Sequence, residues 1–194
     1  MAALPEKRYT PDEYLALERV ADEKSEYWDG YIYAMAGARR GHNLIVSNVN
    51  TTLNNQLRDR PCEVYPSDMK VRTLGRRRYF YPDVSVVCGE PILEDDHGDV
   101  LLNPTVVVEV LSDSTERFDR GRKFDSYRSL ASLQVYVLIA QDAPTVHVYH
   151  RQSDGQWLFS AATSLDETVR LPSIDCELPL AEVYRKVPLP TDDE

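Results

Sequence analysis

Two acidic residues sit in segments that otherwise read as apolar strands: Asp83 in YFYPDVSVV and Glu109 in TVVVEVL. An ionised carboxylate among apolar side chains is costly unless it is paired or holds a metal ion. Strand period places Tyr81, Asp83 and Ser85 on one face, and Val107, Glu109 and Leu111 on one face. Were the two strands neighbours, both carboxylates would converge on one point. Hard oxygen ligands of this kind suit Mg2+ or Mn2+, which accept one or two carboxylates and complete their shell with water and substrate phosphate. The plainer alternative pairs Glu109 with a buried Arg or Lys and has Asp83 cap a turn beside Pro82.

Charge is unevenly spread around these acids. The 194 residues carry a net charge of −10, which argues against a generic nucleic-acid binder. Yet residues 70–78 hold Lys70, Arg72, Arg76, Arg77 and Arg78 with no acid, and residues 117–128 hold Arg117, Arg120, Arg122, Lys123 and Arg128 against Asp119 and Asp125. Local charge of this kind could hold an anionic ligand; alternatively, residues 76–78 are only a solvated hairpin tip.

Several other chemistries lack their residues. No two glycines stand one residue apart, so a GxGxxG fingerprint is excluded, and neither a Walker A sequence, a GxSxG elbow nor HExxH occurs. His147 and His150 lie three apart in an expected strand and point to opposite faces. Cys62, Cys88 and Cys176 form no CxxC pair; their wide spacing suggests neither a disulfide framework nor a zinc site, and a cytoplasmic location is expected. No apolar run approaches the roughly 18–20 residues of a membrane span. The N-terminal stretch carries Glu6 and no apolar core, so no signal peptide is expected.

Composition is that of one globular α/β domain over 1–194, without repeat or linker. Thr10 followed by Pro-Asp-Glu opens a helix ending near Ala21. Residues 25–36 read as a hairpin turning at Asp29-Gly30. From 42 to 58, Ile45, Val49, Leu53 and Leu57 recur every four residues along one helical stripe. Strands are expected at about 62–72 and 78–88, then an acidic surface loop over 89–104. Buried strands follow at 105–111 and 133–140, flanking a helix over about 119–131. A hairpin pairs 145–151 with 156–162, and a proline-rich tail wraps the domain and frays at its end.

Pro-Asp followed 26 residues later by an acid in an apolar strand resembles the PD-(D/E)XK nuclease superfamily. That pattern usually has Lys two residues after the second acid, where this chain has Leu111. A branch of bacterial restriction-endonuclease-like proteins is the closer resemblance. It is carried by Glu26, Asp29-Gly30, His42, Tyr81-Pro82-Asp83, residues 108–112, Ser114-Thr115, Asp119, Lys123 and Tyr127. The resemblance implies a mixed central sheet flanked by helices, with Lys123 replacing the strand lysine. Helical spacing aligns Asp119, Lys123, Tyr127 and Leu130 on one side, so Lys123 could reach over the strand ends; a lysine that snorkels to solvent is the alternative.

In such a branch Glu26 could extend the metal shell or polarise the site, although an acid before a hairpin turn is ordinarily exposed. His42 is a further candidate, or else a satisfied core histidine or a cap. The resemblance implies a Mg2+- or Mn2+-dependent endonuclease acting on DNA, with Asp83, Glu109 and a backbone carbonyl near Val110 as ligands. Lys123 would orient water or stabilise charge, and a homodimer would cut both strands. Two other functions remain open: a catalytically inactive nuclease fold that binds nucleic acid or a protein, and a hydrolase using the two acids as an acid/base pair.

Overall fold

The computed structural model describes residues 7–75, 77–112 and 115–190. Glu6, Arg76, Ser114 and the terminal residues 191–194 lie outside the described residues, and so do the expectations that concern them. Thr10 caps α1 (Pro11–Glu18): its hydroxyl accepts the Glu13 N–H, and the Glu13 carboxylate accepts the Thr10 N–H at 2.7 Å. The helix stops before the expected Ala21. Glu18 turns inward instead, where it accepts the Ser25 N–H at 3.0 Å and the Tyr81 hydroxyl at 2.9 Å.

The hairpin forms as its turn residues require. Strands β1 (Ser25–Trp28) and β2 (Tyr31–Ala34) meet at Asp29 and Gly30, both with positive φ (49° and 99°). Helix α2 (Arg40–Leu57) buries the stripe Ile45, Val49, Leu53 and Leu57.

Each of the two long strands expected next is split in two. Residues 62–72 divide into β3 (Cys62–Pro66) and β4 (Lys70–Thr73), and residues 78–88 into β5 (Arg78–Phe80) and β6 (Val84–Cys88). The breaks fall at Pro66 and Pro82, which lack the N–H a strand ladder needs. At each break the chain crosses from one sheet to another.

Among the described residues the larger sheet has the order β11-β10-β9-β8-β6-β3. Its remaining strands are β8 (Val106–Val110), β9 (Val135–Ile139), β10 (Val146–Arg151) and β11 (Trp157–Ala162). Only β8 and β9 run parallel there; the other pairs are antiparallel. The smaller sheet has the order β2-β1-β5-β4-β7. Its β7 (Val100–Leu101) lies within the stretch expected to be only an acidic loop. That stretch folds back on the cationic one: Glu94 pairs with Arg72, Asp99 with Lys70 and Arg19, and Asp95 with Arg19, all at 2.8–2.9 Å.

The larger sheet is covered on both faces, which explains its unbroken apolar strands. One face packs Val84, Val86, Val106 and Val108 against α2 and the C-terminal hairpin β12 (Thr168–Leu171) and β13 (Cys176–Pro179). The other packs Val87, Val107, Tyr136 and Leu138 against Tyr127, Leu130 and Leu133 and against Val71, Phe80 and Leu101 of the smaller sheet. Tyr127 ends a helical stretch over residues 116–127, here α3. It is α-helical at Glu116–Phe118 and Phe124–Tyr127, with a π turn between them at Asp119–Lys123. This replaces the regular helix expected over 119–131.

The cysteines correct a second expectation. The β3–β6 register sets Cys62 opposite Cys88, Cα to Cα 4.0 Å, and the two form a disulfide, whereas Cys176 is free and buried. Wide spacing in sequence says little about distance across a sheet. Denatured protein titrated with a thiol reagent is expected to show one reactive thiol before reduction and three after. Three thiols before reduction would remove the bond.

Candidate active site

Strands β6 and β8 are antiparallel neighbours, with Val84 opposite Val108. One step further in the same register, Asp83 stands across from Glu109. Pro82 ends the ladder there, and the Asp83 side chain substitutes for it: Oδ2 accepts the Val110 N–H at 2.7 Å. Val110, expected to offer its carbonyl, therefore meets Asp83 through its amide. The other Asp83 oxygen lies 3.1 Å from His42 Nε2. His42 sits in the first turn of α2, which opens with no side-chain cap and no acid. Its Nδ1 is buried with no partner among the described residues. It is thus neither a helix cap nor a fully satisfied core histidine.

Glu109 is buried one residue before the end of β8, and Lys123 comes to it from the π turn of α3. The Lys123 ammonium donates to Glu109 Oε1 at 2.9 Å and Glu26 Oε1 at 3.0 Å, and lies 3.6 Å from Asp119 Oδ1. The Tyr127 hydroxyl donates to the same Glu109 oxygen at 3.1 Å. Glu26 reaches in from β1 and is fixed by the Tyr81 N–H at 3.1 Å. The π turn itself is held by Tyr136, whose hydroxyl donates to the Asp119 carbonyl at 3.0 Å. Single π turns of this kind are frequent at functional sites.

All five side chains singled out from sequence, Asp83, Glu109, Lys123, Glu26 and His42, therefore belong to one linked cluster. Lys123 does not snorkel: it is buried, as are Asp119, Tyr127 and Leu130 on the same helical side. Asp119 and Tyr127 were named as part of the resemblance without a role, yet both touch the centre. Their signal was the four-residue spacing with Lys123, which an ordinary amphipathic helix also produces. Tyr81 acts through its backbone N–H, which no side-chain pattern reveals.

The electrostatics are dominated by a surplus of carboxylate. Burial pushes the Glu109 carboxyl well above its ordinary value, and Asp119, Asp83 and Glu26 add to the shift against the opposing pull of Lys123. Burial likewise raises Asp119. For Lys123 burial alone would favour the neutral amine, but Glu109, Glu26 and Asp119 outweigh it and hold the group as ammonium. One ammonium faces three acidic side chains, Glu109, Glu26 and Asp119.

Such an all-oxygen, anionic donor set fits a hard divalent cation. Asp83 and Glu109, opposed across two strands, could hold such an ion. Among the described residues no group of three or more His, Cys, Asp or Glu side chains could hold a metal ion by itself; Mg2+ typically takes one or two carboxylates with water and substrate phosphate.

The basic flanks largely serve the fold. Besides Lys70 and Arg72, Arg77 pairs with Asp12, Arg120 with Glu116 and Arg128 with Asp125. Arg78 lies on the Trp28 ring at 3.6 Å and pairs with Asp29 at 2.9 Å.

A family model described as "Uma2: Putative restriction endonuclease" matches residues 11–181. The chain belongs to the Uma2 family. Two Synechocystis proteins are similar over most of their length. One, described as uncharacterized protein slr1290, is 36% identical over 181 residues, covering 93% of this chain and 94% of its own. The other, uncharacterized protein sll1609, is 39% identical over 160 residues, 82% of this chain and 90% of its own. A crystal structure from Anabaena variabilis, described as a putative nuclease belonging to DUF820, superposes with a TM-score of 0.74 at 23% identity, covering 91% of this chain and 97% of that one. The Uma2 match and this likeness bear out the nuclease-like mixed α/β fold. No helix of the described residues is long and apolar enough to cross a membrane.

The raised Glu109 pKa has a consequence for stability. An acid whose folded pKa exceeds its unfolded value makes the folded state bind the extra proton, so stability falls as pH rises from about 4.5 through the folded value. In chelator-treated protein, Glu109→Gln is expected to flatten that decline in urea unfolding. Equal slopes in the two proteins would refute this assignment.

Proposed function

We propose that the chain is a metal-dependent endonuclease that hydrolyses DNA phosphodiester bonds. The observation that carries this reading is the meeting of Lys123 with Glu109 at 2.9 Å, across the strand register from Asp83. Two acids and a lysine are thereby assembled although the lysine comes from a helix. The Uma2 description and the nuclease-like fold support the same reaction class.

On this reading Asp83 and Glu109, with the Val110 carbonyl, would hold Mg2+ or Mn2+. When bound, the cation supplies Lewis-acid stabilisation of phosphate charge and lowers the pKa of water. His42 orients Asp83 through its Nε2 contact, and the Val110 N–H fixes the second oxygen. Lys123 stays protonated and is aimed by Glu26 and Asp119, so it can stabilise negative charge developing on the phosphoryl oxygens or position the attacking water. Tyr127 keeps Glu109 in place. Two copies acting as a homodimer would deliver one such site to each strand.

The test begins with Mn2+ titration by calorimetry, with Mg2+ as comparison. Binding is expected in the wild type and lost in both Asp83→Asn and Glu109→Gln. Cleavage of a mixed panel of single- and double-stranded DNA is expected to fall by at least about 100-fold in either variant and in Lys123→Met. Full activity in Asp83→Asn would end the proposal. The second reading, a nuclease fold that binds without cutting, draws on the net charge of −10 and on the ion pairs that occupy Lys123. Salt-sensitive DNA binding without metal-dependent turnover would select it.

A further inference from the structure

Of the basic runs that could hold an anionic ligand, Arg77, Arg78, Arg120 and Arg128 are paired with acids, while Arg117 and Arg122 are exposed. The open side of the site is formed by Asp83, His42 and Glu26, whose side chains keep 14–16% of their surface exposed; those of Lys123, Glu109 and Asp119 keep 4–7%. Three exposed residues adjoin these groups in strand register or in the chain.

Tyr33 stands directly opposite Glu26 in the β1–β2 register, so the two side chains share a face of the sheet. Tyr33 is 53% exposed, and its ring and hydroxyl have no partner among the described residues. Five residues after Met35 the chain enters α2, and Arg39 and Arg40 precede His42 within one helical turn. Both arginines are exposed. Neither guanidinium has an acidic, aromatic or hydrogen-bonding partner among the described residues, unlike Arg19, Arg72 and Arg78.

We propose that Tyr33, Arg39 and Arg40 form a track for single-stranded DNA leading to the carboxylate–lysine site. This rests on the endonuclease reading and names the form of its substrate. The two guanidinium groups take successive phosphates, beside a cluster whose own surplus of carboxylate would otherwise repel them. The Tyr33 ring offers a face to an unstacked base, which single strands present and a closed duplex withholds. A base stacked on Tyr33 would lie beside Glu26, the acid that reaches Lys123 from the same hairpin.

The test is fluorescence anisotropy in EDTA, where no cleavage occurs. The probes are a fluorescein-labelled DNA of about 20 nucleotides, single-stranded or annealed to its complement. The wild type is expected to bind the single strand more tightly. Arg39→Ala/Arg40→Ala should weaken that binding by about 10-fold or more and lower the salt slope by about 1.4. Tyr33→Ala should cost roughly 5- to 100-fold on the single strand, largely restored by Tyr33→Phe, with little effect on the duplex.

Arg58→Ala is the control. Arg58 is exposed and follows the last residue of the same 18-residue helix, about 27 Å from Arg40, and its loss should leave binding unchanged. The track is overturned if the wild type does not bind, if the arginine variants bind as the wild type does, if Arg58→Ala is equally damaging, or if duplex is preferred. The endonuclease reading fails separately. That would be seen as intact Arg39- and Arg40-dependent binding with no metal-dependent turnover of the same single strand.

Discussion

The arrangement depends on one buried ammonium. Lys123 lies beneath the surface among Glu109, Glu26 and Asp119, and no charge can stay in such a place unpaired. The partners come from different parts of the chain: Glu109 from an inner strand of the larger sheet, Glu26 from the hairpin, and Asp119 from the start of the π turn that ends at the lysine. Removing the ammonium would leave these acids to bind protons or draw in water. Tyr127 adds a second donor to the Glu109 oxygen that the ammonium reaches, and Tyr136 holds the turn through the Asp119 carbonyl. What reads as a site is thus also a joint between α3 and the two sheets.

Features governed by neighbouring residues were legible in the sequence. The Thr10–Glu13 capping box, the Asp29-Gly30 turn and the α2 stripe all follow from contacts within a few positions. The destination of a strand does not. Residues 62–72 and 78–88 have uniform β character, and only Pro66 and Pro82 hint that the chain changes sheets there. The Cys62–Cys88 bond and the pairing of 89–104 with 70–78 are likewise long-range, set by register and by ion pairs that local pattern does not encode. In the site, Asp83 and Glu109 stood out because charge is anomalous in an apolar strand. Asp119 and Tyr127 fit an ordinary helix equally well, so their contribution was hidden.

Charge in the sequence also proved a poor map of charge on the surface. Residues 70–78 form the densest basic run, yet Lys70, Arg72, Arg77 and Arg78 each face an acid in the folded chain. That run stitches the smaller sheet to α1, the hairpin turn and the acidic stretch. Arg39 and Arg40, an unremarked pair in the sequence, are left without partners instead. Folding thus neutralises the densest basic run while leaving an inconspicuous pair exposed.

The two proline breaks divide the constellation between sheets. Glu26 belongs to the smaller sheet, Glu109 to the larger, and Asp83 to the short crossing between them. A chain in which only one sheet has formed therefore holds an incomplete set, whichever sheet comes first. The set is complete only when the two sheets are docked on each other. Partly folded or proteolysed forms, which can retain one sheet and lose the other, carry the acids without the arrangement that gives them meaning.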